Sequence, residues 1–265
     1  MDLQLTGKKA LVSGSTAGIG YGIALTLARE GAEVIVNGRT EARVNDAVAR
    51  LKKELGPHAK ITGVAADLGT AGGVETLVKA VPAVDVLVNN LGVFEMKAFA
   101  DITDEDWTKF FEVNVLSGVR LSRFYLPKMT AAGWGRIVFI SSESGVNTPT
   151  EMIHYGLTKT AQLALSRGLA QTAKGTGVTV NSVLPGPTDS EGVGTFVGQM
   201  ARDKGITPEQ METEFFEHAR PSSLLKRFET VAEIADAVAF VCSPLASGIT
   251  GAALRVDGGV VSSIV

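Results

Sequence analysis

Three features of this 265-residue chain predict an α/β fold, a doubly wound parallel sheet with helices on both faces. Short apolar runs alternate with amphipathic helical stretches along the whole chain. The apolar runs lack the strict two-residue alternation of a sheet with one wet face, so each strand reads as buried on both sides. The first run leads directly into a glycine-rich turn at Gly14, Gly18 and Gly20, which opens the first helix.

Lys9 to Ser13 is the first strand, and Ile23, Ala24, Leu27 and Ala28 give the helix after it an apolar stripe that stops at Gly31. Glu33 to Asn37 is the second strand. Glu41 to Leu55 is the second helix, ended by Gly56 and Pro57. Lys60 to Ala65 is the third strand, with a helix from Thr70 to Val81. Asp85 to Val88 is the fourth, closing on Asn89, Asn90, Leu91 and Gly92. A long helix is expected from Asp104 to Pro127, continuing toward Ala132. Arg136 to Ile140 is the fifth strand, a helix bearing Tyr155 runs to Lys174, and Val178 to Leu184 is the sixth strand. From Gly186 to Arg227 the rhythm breaks into a longer, more charged stretch with two short helices. A helix over Val231 to Val241 and a strand over Ala253 to Val256 follow. That makes a sheet of about seven strands. No linker, internal repeat or low-complexity run interrupts it, so one domain over residues 1–265 is expected.

A hydrophobic content of 45% and a charged content of 20% suit a water-soluble globular chain. The net charge of −3 argues against a nucleic-acid surface. The single cysteine, Cys242, excludes an intrachain disulfide and fits a reducing compartment, and three scattered histidines make no metal cluster. No basic and apolar leader is visible, and no apolar run approaches a membrane span. A cytoplasmic protein with neither metal nor membrane partner is expected.

In such sheets ligands sit beyond the carboxyl ends of the strands, and four polar or glycine-rich clusters fall there: 13–20, 89–92, 141–145 and 185–190. In the first, glycines let the backbone approach a pyrophosphate at a helix N-terminus. The alternative is a tight turn with no ligand. Tyr155 and Lys159 are four apart, hence on one helix face, where an ammonium would lower the phenol pKa from its ordinary value of about 10. Ser142, just past the fifth strand, is placed to reach a carbonyl that Tyr155 protonates. Taken alone, this pattern also describes an ordinary helix with one exposed Tyr and one exposed Lys.

Together these residues identify the chain as resembling the short-chain dehydrogenase/reductase family, in its short single-domain branch with a Rossmann-type sheet. The resemblance spans the chain. It rests on Ser13, Gly14, Gly18, Ile19 and Gly20; Asp67; Asn89, Asn90, Leu91 and Gly92; Asn114; Ser142; Tyr155 and Lys159; Asn181; Pro185 and Gly186; and Val256 to Gly259. Ser13 stands where Thr is usual and Leu91 where Ala is usual, the latter narrowing the space near the cofactor.

The resemblance implies that Tyr155 is the general acid or base and that Lys159 tunes it and holds the nicotinamide ribose. It implies that Ser142 polarises the carbonyl and that Asn114 holds a water relaying protons to Lys159. Asp67, followed by Leu68, would meet the adenine, Asn89 the ribose with room made by Gly92, and Pro185, Gly186 and Thr188 the carboxamide. Asp67 also reads as a helix N-cap, and Asn114 as a polar residue tolerated in a helix. The turn after the second strand, Asn37, Gly38, Arg39 and Thr40, carries no carboxylate for a ribose hydroxyl and an Arg suited to a 2′-phosphate. NADP(H) is therefore expected on Arg39, with Ser15, Asn37 or Thr40 helping. NAD(H) is the alternative, in which Arg39 merely opens the second helix beside Glu41.

Residues 186–227 resemble the family's substrate lid, with Phe196, Val197, Met200, Met211, Phe215 and Phe216 as its apolar residues. Glu143, Ser144 and Met152 flank the catalytic groups, and His154 is expected to be structural or interfacial. The function implied is hydride transfer between a nicotinamide and a small carbonyl or secondary alcohol, in a homotetramer. A 3-oxoacyl-thioester reductase is one version of it, and a catalytically silent dinucleotide sensor is the rival from another class.

Overall fold

The computed structural model describes residues 1–264, with the side chains of Thr195 and Phe196 outside the described set. Its elements follow the expected alternation: β1 (Lys9–Val12), α1 (Gly18–Arg29), β2 (Glu33–Gly38), α2 (Glu41–Leu55), β3 (Ile61–Ala65), α3 (Ala71–Ala80) and β4 (Val86–Asn89). There follow α4 (Asp104–Phe111), α5 (Ser117–Ala132), β5 (Gly135–Ile140), α6 (Ile153–Thr172) and β6 (Val178–Pro185). The remainder comprises β7 (Thr188–Asp189), α7 (Glu191–Lys204), α8 (Pro208–Glu214), β8 (Glu229–Thr230), α9 (Val231–Cys242) and β9 (Ala253–Val256).

Seven strands form one parallel sheet in the order β3-β2-β1-β4-β5-β6-β9. The chain winds outward from β1 to β3, then crosses back to β4. The crevice beyond the carboxyl ends of β1 and β4 is therefore the switch point where such sheets take ligands. The inner strands are buried on both faces, whereas the edge strands β3 and β9 are partly exposed. On one face Ile23, Leu27, Ile234 and Val238 close the core, and on the other Leu77, Leu121, Tyr125 and Phe139 do so. Threonines start several of the helices. Thr40 and Thr70 accept from the backbone N–H of Arg43 and Gly73, and Thr103 with Asp106 forms a reciprocal cap.

Two departures from the expected pattern matter for the site. The long helix over 104–132 is split by a π-turn at Glu112–Leu116, which carries Asn114. The Asn114 carbonyl accepts from the Gln162 side chain of α6, a bond that the widened turn leaves room for. Hydrophobic periodicity does not register a single extra residue of this kind. The second departure is a separate two-residue parallel pair, with Thr188 opposite Glu229 and Asp189 opposite Thr230. It joins the two ends of the 186–227 stretch and is too short to leave a pattern in the sequence.

Helix packing generates a paired prediction. A Cβ on Gly22 of α1 would lie 2.1 Å from Val231 Cγ1 of α9, whereas one on Gly168 of α6 meets nothing within 4 Å. Gly22→Ala is expected to destabilise the protein by about 1–3 kcal/mol through overpacking. Gly168→Ala is expected to stabilise it by about 0.5–1 kcal/mol through helix propensity. Thermal unfolding of both variants checks the opposite signs.

Candidate active site

The glycine turn is held by buried polar side chains. Gly14 and Gly18 adopt φ of 61° and 55°, conformations that strain any side chain. Ser15 Oγ donates to the Val12 carbonyl at 2.7 Å and accepts from Asn37 N–H at 3.0 Å. Asn37 Oδ1 in turn accepts from Gly14 N–H at 3.2 Å, and its Nδ2 donates to the Val64 and Ala66 carbonyls at 3.1 Å. Asn90 Nδ2 donates to the carbonyls of Ser13 and Gly14, both at 3.0 Å. A Cβ on Gly20 would lie 2.4 Å from that Nδ2, which explains the third glycine. Ser15 and Asn37 thus act on the turn itself, facing inward rather than toward a phosphate, and Thr40 is spent as the α2 cap. The first turn of α1 has no side-chain cap, so its N–H groups stay available to an anion.

The second constellation sits at the end of β5 and the start of α6. Ser142 caps the short turn Glu143–Gly145, its Oγ accepting from Ser144 N–H at 3.1 Å. Tyr155, half-buried, faces it. Burial pushes the phenol up to about 12, and the Ser142 hydroxyl opposes the shift by hydrogen bonding. Glu143 raises it further, and Arg220 lowers it. Lys159 does not act as expected from sequence. It is 4% exposed, its Nζ lies 5.5 Å from the Tyr155 ring centroid, and it donates to the Ile140 carbonyl at 2.8 Å. Burial depresses this ammonium to about 7, so the lysine is the perturbed partner and the phenol is not lowered.

Asn114 lies 1% exposed in its π-turn. Its Oδ1 accepts from Val93 N–H at 2.8 Å, and its Nδ2 donates to the Val93 carbonyl and to Thr158 Oγ1, both at 3.0 Å. Its backbone carbonyl receives Gln162 Nε2, and Gln162 Oε1 is 3.5 Å from Lys159 Nζ. A protein side chain therefore links Asn114 to Lys159, a role for Gln162 that spacing on α6 does not reveal.

Both constellations open into one cavity of about 670 Å³. Gly14, Gly18, Ile19, Gly20, Gly92, Ser142, Tyr155, Lys159, Pro185, Gly186 and Thr188 line it. Other predicted residues lie off its wall. Asn89 turns into the helix layer to donate to Ser122 Oγ at 3.2 Å, leaving Asn90 at the cavity. Leu68 is fully buried in the core. Asp67 is exposed and accepts from Gly69 N–H at 3.1 Å, while the cap of α3 is Thr70. Arg39 is exposed at the end of β2, with no ion-pair partner among the described residues. One turn further along, Arg43 lines the cavity and pairs with Glu191 of α7 at 3.8 Å.

The 186–227 stretch supplies Val197, Met200 and Phe215 to the cavity, whereas Met211 and Phe216 are buried and off its lining. The expectation for the Phe196 side chain falls outside the described residues. Glu143, Ser144 and Met152 line the cavity. His154, fully buried against Phe110 at 4.1 Å and Trp107 at 6.0 Å, is structural.

A parallel doubly wound sheet with a glycine turn at its switch point and a Ser-Tyr-Lys group across the same cavity defines a dinucleotide-dependent oxidoreductase class. Comparison with known proteins agrees. A family model described as enoyl-(acyl carrier protein) reductase matches residues 14–261, and the chain belongs to the short-chain dehydrogenase/reductase family. It is an oxidoreductase of that family, acting on the alcohol/carbonyl couple with NAD(P).

An uncharacterized oxidoreductase, YvaG of Bacillus subtilis, is 49% identical over the full length of both chains. D-beta-hydroxybutyrate dehydrogenase of Cupriavidus necator is 32% identical over 96% of this chain and 98% of its own. The crystal structure of L-sorbose reductase from Gluconobacter frateurii, complexed with NADPH and L-sorbose, superposes with a TM-score of 0.94 at 30% identity, covering all of both chains. The groove fits NAD(P). The α1 N-terminus is uncapped, and Gly92 leaves open a place where a Cβ would stand 3.4 Å from Lys159 Nζ. Among the described residues, no helix is long and apolar enough to cross a membrane.

The buried lysine generates a stability prediction. Its folded pKa of about 7 lies below its ordinary 10.5, so between these values the unfolded chain binds more protons and stability rises with pH. Below about 7 the full penalty for burying the ammonium applies. Lys159→Met should therefore melt higher than the parent at pH 6, with the difference shrinking as the pH rises toward 10.5. A difference that is flat with pH would contradict the assignment.

Proposed function

We propose that the protein is an NADP(H)-dependent carbonyl reductase of this family that uses Tyr155 as its proton donor. The observation that carries the reading is the convergence of Ser142, Tyr155 and Lys159 on the cavity that also receives the glycine turn. When bound, the reduced nicotinamide supplies the hydride for the carbonyl carbon. The phenol O–H gives its proton to the carbonyl oxygen, and the C=O becomes CH–OH. The phenol is protonated at neutral pH, the form that a proton donor requires.

Ser142 donates a hydrogen bond to the same oxygen and fixes its position. Lys159 holds the ribose and, through Gln162, connects to Asn114 and the π-turn, where the proton is replaced. Gly14, Gly18, Ile19 and Gly20 with the α1 N-terminus hold the pyrophosphate, and Pro185, Gly186 and Thr188 hold the carboxamide. The backbone at Asp67 and Leu68 borders the adenine, and that at Asn89 borders the ribose. Arg39, at the end of β2, has no ion-pair partner among the described residues, so its guanidinium can turn onto a 2′-phosphate, and Arg43 is the second cation at that end. The enzyme works in the cytoplasm as a homotetramer.

Nicotinamide fluorescence on the purified protein should show tighter binding of NADPH than of NADH. Arg39→Asp should shift that preference toward NADH by about tenfold or more, the loss expected for one charge-assisted contact. Tighter NADH binding to the parent would overturn the cofactor assignment. Tyr155→Phe should lower kcat by about 10²–10⁴ while cofactor binding persists. Retained turnover would remove the phenol from the mechanism.

A further inference from the structure

The wall of the cavity beside Tyr155 holds a charged group that hydride transfer does not use. Glu143 directly follows Ser142 and is 3% exposed. Its Oε1 accepts from Arg220 Nε at 3.0 Å. Its Oε2 is buried and makes no hydrogen bond of regular geometry among the described residues; burial raises this carboxyl, and Arg220 and the adjacent Ser144 hydroxyl oppose the shift. Arg220, 12% exposed, comes from the lid end and lies over the Phe215 ring at 5.8 Å. It also sits 3.7 Å from Glu151 Oε1, and its NH1 donates to the Ala219 carbonyl at 2.8 Å. All three charged residues line the cavity.

Two carboxylates share one guanidinium here, and one carboxylate oxygen remains a spare acceptor. A buried carboxylate oxygen without a donor is costly, and each such atom in a folded protein calls for an explanation. Apart from these three residues, Ser142, Ser144 and the Tyr155–Lys159 pair, this end is lined by apolar side chains that include Phe94, Met96, Met152 and Phe215. Its polar demand is therefore concentrated at one point, adjacent in sequence to the serine that meets the carbonyl. A hydroxyl on a carbon next to the reacting carbonyl would supply the missing donor. A second cation would face Arg220 at close range, and an anion would face the unpaired oxygen and Glu151.

Building on the carbonyl-reductase reading, we propose that Glu143 is a specificity-determining residue. Its Oε2 accepts a hydrogen bond from a hydroxyl neighbouring the reacting carbonyl, with Arg220 holding the carboxylate in place. The substrate class is an uncharged hydroxy-ketone or hydroxy-aldehyde, and an oxo acid is disfavoured. A site built around a hydroxyl rejects the analogue lacking it, because the site's own polar group is then left unpaired.

The test uses three ketones of matched size with NADPH: 2-hydroxyacetophenone, propiophenone and benzoylformate. The parent enzyme should show kcat/KM for the hydroxy-ketone at least about tenfold above propiophenone, with benzoylformate the poorest. In Glu143→Gln, which keeps the shape and an acceptor for Arg220, the ratio of hydroxy-ketone to propiophenone should fall about tenfold. The comparison of substrates on the parent stands even if that variant folds poorly. Equal turnover of the two neutral ketones, a ratio unmoved in Glu143→Gln, or a preference for benzoylformate overturns the role of Glu143 and leaves the reductase reading intact. Bound NADPH with no ketone reduced overturns both.

Discussion

The arrangement of the site depends on one buried ammonium. Lys159 lies inside the protein on the second turn of α6, where its Nζ donates to the Ile140 carbonyl at the last residue of β5. That bond ties helix to strand at the point where the chain leaves the sheet. Ser142 stands two residues past the strand end, and Tyr155 one helical turn before the lysine, so both are placed by the same tie. Ser141 Oγ donates to the Lys159 carbonyl at 2.8 Å and closes the junction from the other side. Glycine completes it, since a Cβ on Gly145 would lie 2.9 Å from the Lys159 carbonyl carbon. Burying a lysine in this way opposes folding, because its charged form loses water. Such a cost is maintained where function needs the group.

The lysine also explains why a π-turn interrupts the helix beside it. A regular α-helix uses each backbone carbonyl internally, whereas the Asn114 carbonyl is bonded to Gln162, itself next to Lys159. The Asn114 side chain meanwhile is spent on Val93 and Thr158, pinning the loop after β4 to α6. Strand β4, the split helix and α6 thus converge on one buried polar cluster, and each member satisfies another. Removing one would strand the rest in a low-dielectric interior, so the cluster behaves as a unit.

The parallel sheet and the helix alternation were legible in the sequence because parallel βαβ units leave long apolar runs and long helical stripes. The glycine turn and the Tyr155–Lys159 pair were legible because φ constraints and four-residue spacing are local. What escaped was set by tertiary contact. Ser15 and Asn37 read as phosphate helpers from their position, yet they face each other across β1 and β2. The direction of a side chain at a strand end depends on the neighbouring strand. Lys159 read as lowering the tyrosine because spacing puts them on one face. Its long side chain reaches instead to the β5 carbonyl, and burial outweighs the pairing. Gln162 and Arg220 carry no local signal at all, one acting through a π-turn and the other arriving from 77 residues beyond Glu143.

The 186–227 stretch is tied to the cavity at both ends. At one end, β7 and β8 pair beyond Gly186, and Glu229 Oε2 accepts from Gly186 N–H at 3.0 Å, with burial raising that carboxyl to about 7. At the other, Arg220 reaches Glu143 behind Ser142. Between them α7 and α8 pack a small apolar cluster of Val197, Ala201 and Met211, separate from the two clusters under the sheet. The segment thus carries a small apolar core of its own. Both anchors are polar and both meet residues of the cavity wall. The position of this segment is thereby coupled to the cavity lining, and the Glu143–Arg220 pair is the anchor beside Ser142.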